Sequence, residues 1–385
     1  MKISERELNR ATLSRQLLLE RASLSLPDAM RQLVALQAQH PASPYIALWN
    51  RLEDFDPAAL DEAFARRSVV KATLMRITLH AVLAEDYPGF RAALRPTLYA
   101  SRLGYRYAAA GLTPADADEL IPELLEFAQQ PRTMAEMKTW IEGRLGAERL
   151  EGGWWGLRAY APLHHAPTGG AWSFGYRPSF IAATADDPRP APAGPEPDLD
   201  ALRALIVRYL TGFGPASVAD IAQFAMVRRT AVREALRALD DTVEHLQGPD
   251  GSALLDLPGA PRPSADTPAP PRLIGMWDSV LLAHAERGRV IPAAHRATVI
   301  RTNGDVLPTL LVDGFVAGVW RPTDKGIEVT AFERLPRATW DALADEARSL
   351  THLLAAREAM PYSRHHHWWA KLPKGGTVRL LPPAR

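Results

Sequence analysis

Two closely spaced glutamines, Gln37 and Gln39, have the side chains in this sequence that most clearly suggest chemistry. They lie in the segment LQAQHP at residues 36–41. Gln37 continues the apolar stripe that Met30 and Leu33 form at helical spacing, so the pattern predicts a helix that directs an amide into the protein. An amide buried without hydrogen-bond partners costs roughly 1–3 kcal/mol. We therefore expect the Gln37 amide to be paired.

The residue after the pair, His40, precedes a proline, and that position disfavours helical backbone. The sequence thus predicts that the helix ends at His40. Residues two apart diverge by about 200° around a helix but share a face in extended chain, so the helix end could direct both glutamines into one cleft. In the alternative interpretation both amides bond carbonyl groups left unpaired at the helix end. Spacing alone favours that alternative.

The composition is that of an ordinary globular protein and excludes several kinds of site. The chain has 385 residues, 47% of them hydrophobic and 23% charged, and this length indicates two or three domains or several small modules. Because there is no cysteine, disulfides, thiolate zinc sites, iron–sulfur clusters and cysteine nucleophiles are excluded. No apolar run approaches the ~18–20 residues of a membrane span, and residues 1–10 are too charged for a signal peptide. We therefore expect a cytoplasmic protein.

The net charge of +1 is an average over segregated segments. Residues 91–110 carry four arginines and no acid, residues 111–130 carry five acids and no basic residue, and residues 361–385 carry five basic residues and no acid. A net charge near zero is therefore compatible with a basic groove on a surface whose other charges nearly cancel.

Two proline-rich stretches, residues 186–198 and 258–272, predict semi-rigid connectors. Between them, residues 199–257 show helical periodicity, a break at Gly212-Phe213-Gly214, and a possible helix cap at Ser217. Two short helices joined by a tight turn and followed by two strands predict a winged helix there. We predict similar motifs at residues 1–110 and 111–185, with a helix at 134–145 after a capping Thr133 and strand-like segments at 154–161 and 172–180. Residues 272–385 are predicted to be β-rich, with hairpin turns at Asn303-Gly304 and Asp313-Gly314 that separate strands at 299–302, 306–312 and 315–320.

Basic residues cluster where these motifs would meet a nucleic acid. The candidate DNA-binding residues are Arg66, Arg67, Lys71, Arg76, His80, Arg228 and Arg229. Residues 362–385 add basic residues beside Trp368-Trp369, a combination that suits phosphate contacts and base stacking. For any one cluster, the favoured alternative to DNA contact is that the basic residues form a solvated face or surface ion pairs. That alternative weakens because several clusters coincide with predicted winged helices.

Other candidate motifs do not carry a function. The pair His164-His165 and the run at residues 365–367 are consecutive histidines, without the spacing of a structural zinc site. Gly212-Phe213-Gly214 lacks a preceding strand and the later glycine of a dinucleotide-binding loop. We therefore expect no bound metal and no cofactor.

Five segments together resemble the AlkZ-type winged-helix DNA glycosylases. They are LVALQAQHPASPYIALWNR (33–51), VVKATLMRITLH (69–80), GFGPASVADIA (212–222), LLDLPGAPRPSADTPAPPRL (254–273) and VDGFVAGVWR (312–321). The resemblance spans most of the chain and implies an α+β fold of three tandem winged-helix motifs plus a C-terminal β-rich region, forming a concave DNA-binding surface. The family signature Gln-apolar-Gln matches Gln37, Ala38 and Gln39, which implies that both glutamines are catalytic. GMWDS at 275–279 departs from the more acidic form expected there.

The resemblance also implies an activity. A monofunctional DNA glycosylase of this family would hydrolyse the N-glycosidic bond of N7-alkylated purines, including bulky adducts and interstrand crosslinks. Its role would be DNA repair or self-resistance to a genotoxic natural product such as azinomycin. The expected partner is double-stranded DNA, where the protein would be nucleoid-associated, and the expected state is a monomer without membrane or obligate protein partners. The alternatives are a non-catalytic winged-helix regulator or lesion recogniser and, less favoured, a protein that sequesters the adduct or drug.

Overall fold

The computed structural model describes residues 2–183 and 198–383, so the predicted connector at 186–198 lies outside the described residues except for Asp198. The helices are α1 (Glu5–Arg15), α2 (Leu26–Leu33), α3 (Ser43–Trp49), α4 (Pro57–Ala65), α5 (Tyr87–Arg102), α6 (Pro114–Phe127), α7 (Met134–Leu145), α8 (Leu150–Tyr160), α9 (Leu199–Phe213), α10 (Val218–Ala225), α11 (Arg229–Arg237), α12 (Ser279–Leu282), α13 (Ala293–Val299) and α14 (Arg337–Ala355). The strands are β1 (Leu36–Gln37), β2 (Val69–Thr73), β3 (Leu79–Leu83), β4 (Arg132–Thr133), β5 (Leu163–Ala166), β6 (Ser179–Ala182), β7 (Glu244–Gln247), β8 (Ala253–Asp256), β9 (Arg272–Ile274), β10 (Thr309–Val312), β11 (Phe315–Thr323), β12 (Gly326–Ala331) and β13 (Thr377–Leu381). The predicted α+β class is confirmed.

The chain folds into two compact units that interleave in sequence. Unit 1 comprises Met1–Pro57, Tyr209–Asp220 and Asp241–Arg385, and unit 2 comprises Ala58–Arg208 and Ile221–Asp240. The division into segments 1–110, 111–185, 199–257 and 272–385 stays a prediction. So do the number of winged helices and the concave surface.

Unit 1 contains an antiparallel sheet in the order β13-β12-β11-β10-β9. The predicted hairpin turn at Asp313-Gly314 is confirmed, with φ of 49° and 83°. These are the positive φ values that a two-residue turn of this kind requires. The strand expected at 299–302 is wrong: α13 ends at Val299, and only an isolated bridge joins Ile300 to Val306.

Helix α1 supplies polar side chains to the interior of unit 1. It begins with a capping box formed by Ser4 and Glu7. Arg15 forms a buried ion pair with Asp256, at 2.6 Å between Nη1 and Oδ1, and Arg15 Nη1 also donates to the Leu210 carbonyl. Asn9 Nδ2 donates to two loop carbonyls. One short helix thereby connects parts of the unit that are distant in sequence.

Unit 2 contains strands in the order β3-β2-β5-β6-β4, with helices α6, α7 and α8 contributing to its apolar core. The strand expected at 154–161 is wrong, because residues 150–160 form α8. Trp154, Leu157 and Tyr160 recur every three residues, and all three are buried in that core. The aromatic content suggested a strand, but the spacing is that of one helical face.

Gly212 lies at a close approach between two elements of unit 1. A Cβ atom at Gly212 would lie 2.6 Å from Val34 Cγ2 and 2.9 Å from the Gln32 carbonyl oxygen. Only a residue without a side chain therefore lets the end of α9 pack against the end of α2.

We predict that Gly212→Ala lowers the free energy of unfolding by about 1–3 kcal/mol, the usual cost of overpacking. Gly143→Ala is the matched control, since Gly143 also lies in a helix but a Cβ atom there would meet nothing within 4 Å. Alanine is the better helix former, so the control is expected to be neutral or stabilising. Urea unfolding measures both variants, and equal stability of the two would contradict the packing argument.

Candidate active site

A strained turn precedes the glutamine pair. Helix α2 ends at Leu33, and Val34 has φ 68° and ψ −61° while the Ala35 N–H donates to the Leu33 carbonyl at 2.8 Å. This is a γ-turn of the rare, strained kind. The predicted helix to His40 is therefore wrong, and Gln37 lies in strand β1. The turn depends on packing with Gly212, which local periodicity cannot detect.

The two glutamines have different environments. Gln37 is 3% exposed, and its Oε1 accepts a hydrogen bond from the Gln39 backbone N–H at 2.6 Å. Gln39 itself is exposed. Gln37 thus bonds local backbone, as the alternative interpretation expected, although its partner is an N–H and not a carbonyl. The bond holds the two residues in a fixed local geometry.

An aromatic and hydroxyl cluster lies beside the pair. His40 packs edge-on against Tyr362, with ring centroids 4.6 Å apart, and its Nδ1 accepts from the Ala42 N–H. Ser43 Oγ donates to the Met276 carbonyl at 3.1 Å, so the Tyr362 hydroxyl donates to Ser43 Oγ at 3.0 Å. Burial raises the pKa of the Tyr362 phenol, which keeps it a proton donor in this chain of bonds.

The segment that departs from the family pattern anchors the backbone before Gln37. Asp278 forms a two-pronged ion pair with Arg51, at 2.7 and 2.8 Å, and both side chains are buried. The next residue, Ser279, donates from Oγ to the Ala35 carbonyl at 3.0 Å. These supporting residues were missed from the sequence, because no local spacing connects Arg51 or Ala35 with residues more than 220 positions away.

The predicted basic cluster on and around β2 and β3 of unit 2 separates into exposed and buried members. Arg66 is exposed and pairs with Glu62 at 2.7 Å, whereas Arg67 is partly buried and donates to the Ala182 carbonyl. Lys71 and His80 are buried. Exposure alone therefore distinguishes residues that the sequence grouped together.

Arg76 is held by His80. Burial lowers the pKa of His80 to about 3, so its ring is neutral at physiological pH. Since Nδ1 lies 3.1 Å from the Thr78 carbonyl and Nε2 lies 3.2 Å from Arg76 Nη2, the ring donates through Nδ1 and accepts through Nε2. The guanidinium also lies over the Phe224 ring at 5.4 Å. His80 thus acts as a support for Arg76.

Helix α11 presents a stripe of arginines. The predicted residues Arg228 and Arg229 are exposed, and the structure adds the exposed Arg233 and Arg237. Positions 229, 233 and 237 share one face because residues four apart are neighbours on a helix. Among the described residues, none of these four arginines forms an ion pair. The spacing was visible in the sequence and was the signal that could have found Arg233 and Arg237.

In the tryptophan-rich segment at 363–371, Trp368 forms cation–π contacts with other residues of the chain. The Arg301 guanidinium and the Lys371 ammonium lie 4.9 and 4.8 Å from the Trp368 ring, and Trp368 Nε1 donates to Asp305 at 2.8 Å. Its role in base stacking stays a prediction.

In the parts of the chain that the structure describes, no three His, Asp or Glu side chains converge as a possible metal site. No helix in those parts is long and apolar enough to span a membrane.

Comparison with known proteins gives the same family along most of the sequence. A family model described as DNA glycosylase AlkZ-like matches residues 30–353. The chain belongs to the AlkZ-like DNA glycosylase family. It is 27% identical to an interstrand DNA cross-link repair glycosylase of Streptomyces sahachiroi over 353 residues, covering 87% of this chain and 93% of that one. It also shares the fold of the solved Streptomyces sahachiroi DNA glycosylase AlkZ, with a TM-score of 0.76, 23% identity, and coverage of 94% of this chain and 99% of the other.

For this AlkZ-like protein we predict that Ser279→Ala lowers the free energy of unfolding by about 1–3 kcal/mol, because the variant leaves the Ala35 carbonyl without its buried donor. Ser264→Ala is the control, since Ser264 is exposed. Urea unfolding measures the difference. If the two variants were equally stable, the Ser279 bond would not hold the turn before Gln37.

Proposed function

We propose that the protein hydrolyses the N-glycosidic bond of N7-alkylated purines in duplex DNA, including bulky adducts and interstrand crosslinks. Gln37 and Gln39 are the proposed catalytic residues. The observation that carries this proposal is the bond from the Gln39 N–H to the buried Gln37 Oε1, which orders the pair while leaving Gln39 exposed. The name of the Streptomyces sahachiroi relative, a cross-link repair glycosylase, supports crosslinks as substrates.

The chemistry suits amides because the leaving group needs little help. An N7-alkylguanine is cationic, so the enzyme must chiefly position water and stabilise an oxocarbenium-like sugar. A glutamine carbonyl accepts a hydrogen bond from water and its NH2 orients a second group, but an amide is not a general base. We infer that Gln39 contacts the water, while Gln37, whose Oε1 is already bonded, orients a second group through its NH2. Catalysis is then positional and electrostatic.

We propose that exposed arginines bind DNA phosphates. Those on and beside α11 lack ion pairs among the described residues, so their charge is available to a polyanion. We also keep the exposed Arg66 and the partly buried Arg67 and Arg76 as candidates. Because Lys71 and His80 are buried, we assign them no direct contact with DNA.

We further propose that the protein acts as a monomer without lyase activity, in repair or in self-resistance to an alkylating natural product such as azinomycin. A crosslinked base remains tethered to the opposite strand, so an open groove suits this substrate better than a closed pocket that requires complete base flipping. The competing function is a non-catalytic DNA-binding protein.

We predict that wild type releases the modified base from a duplex containing N7-methylguanine or a crosslink, and that Gln39→Ala lowers the rate by about 10²–10³-fold, as for other preorganised polar groups. Gln37→Ala is expected to lower the rate as well. Gln130→Ala, which alters an exposed glutamine elsewhere, is the control.

Released base and DNA affinity are measured together on each variant. Loss of release with affinity retained supports catalysis by the pair. No release from any N7 adduct by wild type would contradict the enzyme and leave the non-catalytic alternative. Strand cleavage without added base or heat would contradict the absence of lyase activity.

We predict that Arg233→Ala lowers DNA affinity and reduces the slope of log K against log salt by about 1, the value for one lost phosphate contact. Arg229→Ala is expected to do the same. Arg337→Ala is the control, because this arginine is exposed on α14 of unit 1. Binding of one unmodified duplex over a salt series measures the slope, and an unchanged slope removes the residue from the interface.

A further inference from the structure

Unit 2 contains a small cavity that the proposed glycosylase chemistry does not use. Its volume is about 150 Å³, and its lining includes Arg67, Lys71, His164 and His165 together with apolar side chains such as Phe174. No lining residue is acidic. At ~30 Å³ per water molecule, the space accommodates a phosphate-sized anion. We call it the Lys71 cavity.

Lys71 is a buried amine without a counter-ion. Its side chain is 4% exposed, and it stands opposite His165 in the register of β2 and β5. Its Nζ lies 4.6 Å from the centroid of Phe174. Among the described residues Nζ has no hydrogen bond and no ion pair. A cation–π contact gives only about 0.5–2 kcal/mol, so most of the cost of burying the charge is uncompensated.

Other nitrogen groups around the cavity also lack partners. His164 Nε2 and Arg67 Nε are buried without a hydrogen bond. Burial lowers the pKa of His164 to about 3 and that of His165 well below its usual value, so both rings are neutral and each carries one N–H. Buried polar atoms are normally satisfied, and an unsatisfied group needs an explanation such as an ion that binds beside it.

The charges around the cavity have one sign. Repulsion by Arg67 and Arg91 adds to the lowering of the His164 pKa, and Lys71 and Arg158 act on His165 in the same way. Burial lowers the pKa of Lys71 to about 7, so near neutral pH the amine readily gains a proton when an anion approaches. The environment attracts an anion and offers it N–H donors.

We propose that the Lys71 cavity binds a small oxyanion, a phosphate or carboxylate group, through the Lys71 ammonium and N–H groups of the surrounding basic side chains. This site is separate in function from base excision. The bound oxyanion supplies the missing counter-ion and keeps Lys71 protonated, so it stabilises unit 2 by mass action.

Calorimetric titration and thermal unfolding of the full chain test the site at pH 7 and constant ionic strength, with inorganic phosphate in one arm and acetate in the other. We expect saturable binding of at least one anion to wild type, with a rise in Tm. Lys71→Met removes the ammonium at similar volume and is expected to weaken binding by at least ~10-fold, the effect of about 1.4 kcal/mol. Lys325→Met, which alters an exposed lysine, is expected to bind like wild type.

The arm that saturates identifies the oxyanion. Equal affinity of wild type and Lys71→Met, or no saturable binding of either anion, overturns the proposal. If Lys71→Met does not fold, the wild-type protein tests the proposal instead. NMR then follows the chemical shift of the Lys71 side-chain carbon adjacent to Nζ as the pH is varied, with and without the anion. A bound oxyanion stabilises the ammonium, so the pKa of Lys71 should rise by about one unit or more with the anion present, and an unchanged pKa overturns the proposal. Neither the anion-binding measurement nor the NMR titration involves base release. A negative result for the oxyanion site therefore leaves the glycosylase proposal intact.

Discussion

The buried ion pair between Arg51 and Asp278 is the interaction on which the candidate active site depends. Two parallel hydrogen bonds join the guanidinium to the carboxylate, and removing one partner of such a pair typically costs about 3–5 kcal/mol, because the other charge remains buried. Arg51 follows α3, and Asp278 caps α12 by accepting from the Val280 N–H. The pair therefore fixes the position of Ser279, whose hydroxyl holds the carbonyl of Ala35 two residues before Gln37.

The same region contains backbone strain that packing must offset. Val34 adopts a conformation that β-branched residues rarely take, and the hydrogen bond between its neighbours closes the turn. Close packing against Gly212 and the bond from Ser279 restrain this turn from two sides. Strained backbone persists only where the surrounding structure determines it, and it clusters at functional sites. The turn places Gln37 in extended chain, in which the side chains of residues 37 and 39 can act as a pair.

Two groups of cations in this protein have distinct environments, and composition cannot separate them. The arginines of α11 are exposed and lack ion pairs among the described residues, an arrangement that suits contact with a polyanion. Lys71 and its neighbours enclose a small space without an acid, an arrangement that suits one small anion. Each of these lysines and arginines counts as one positive charge in the formal net charge of +1. What distinguishes them is the amount of water around each charge, because desolvation sets the cost of an unpaired cation.

Elements with strong local signals were predictable from the sequence alone. Helix α7 spans the predicted residues 134–145, because a capping threonine precedes its periodic apolar positions. The chain also forms the predicted turn at Asp313-Gly314, where both residues have positive φ. The glutamine pair was also recognisable from the sequence, as was the family.

The tertiary structure alone decided the conformation before Gln37, the burial of Lys71, and the pairing of Arg51 with Asp278. Each depends on groups far apart in the chain, such as Val34 with Gly212, whereas periodicity and capping report only on residues within a few positions of one another. The sequence by itself therefore determined which side chains are present and which local elements they favour. The long-range packing determined which of those side chains are buried, which are exposed, and which act together.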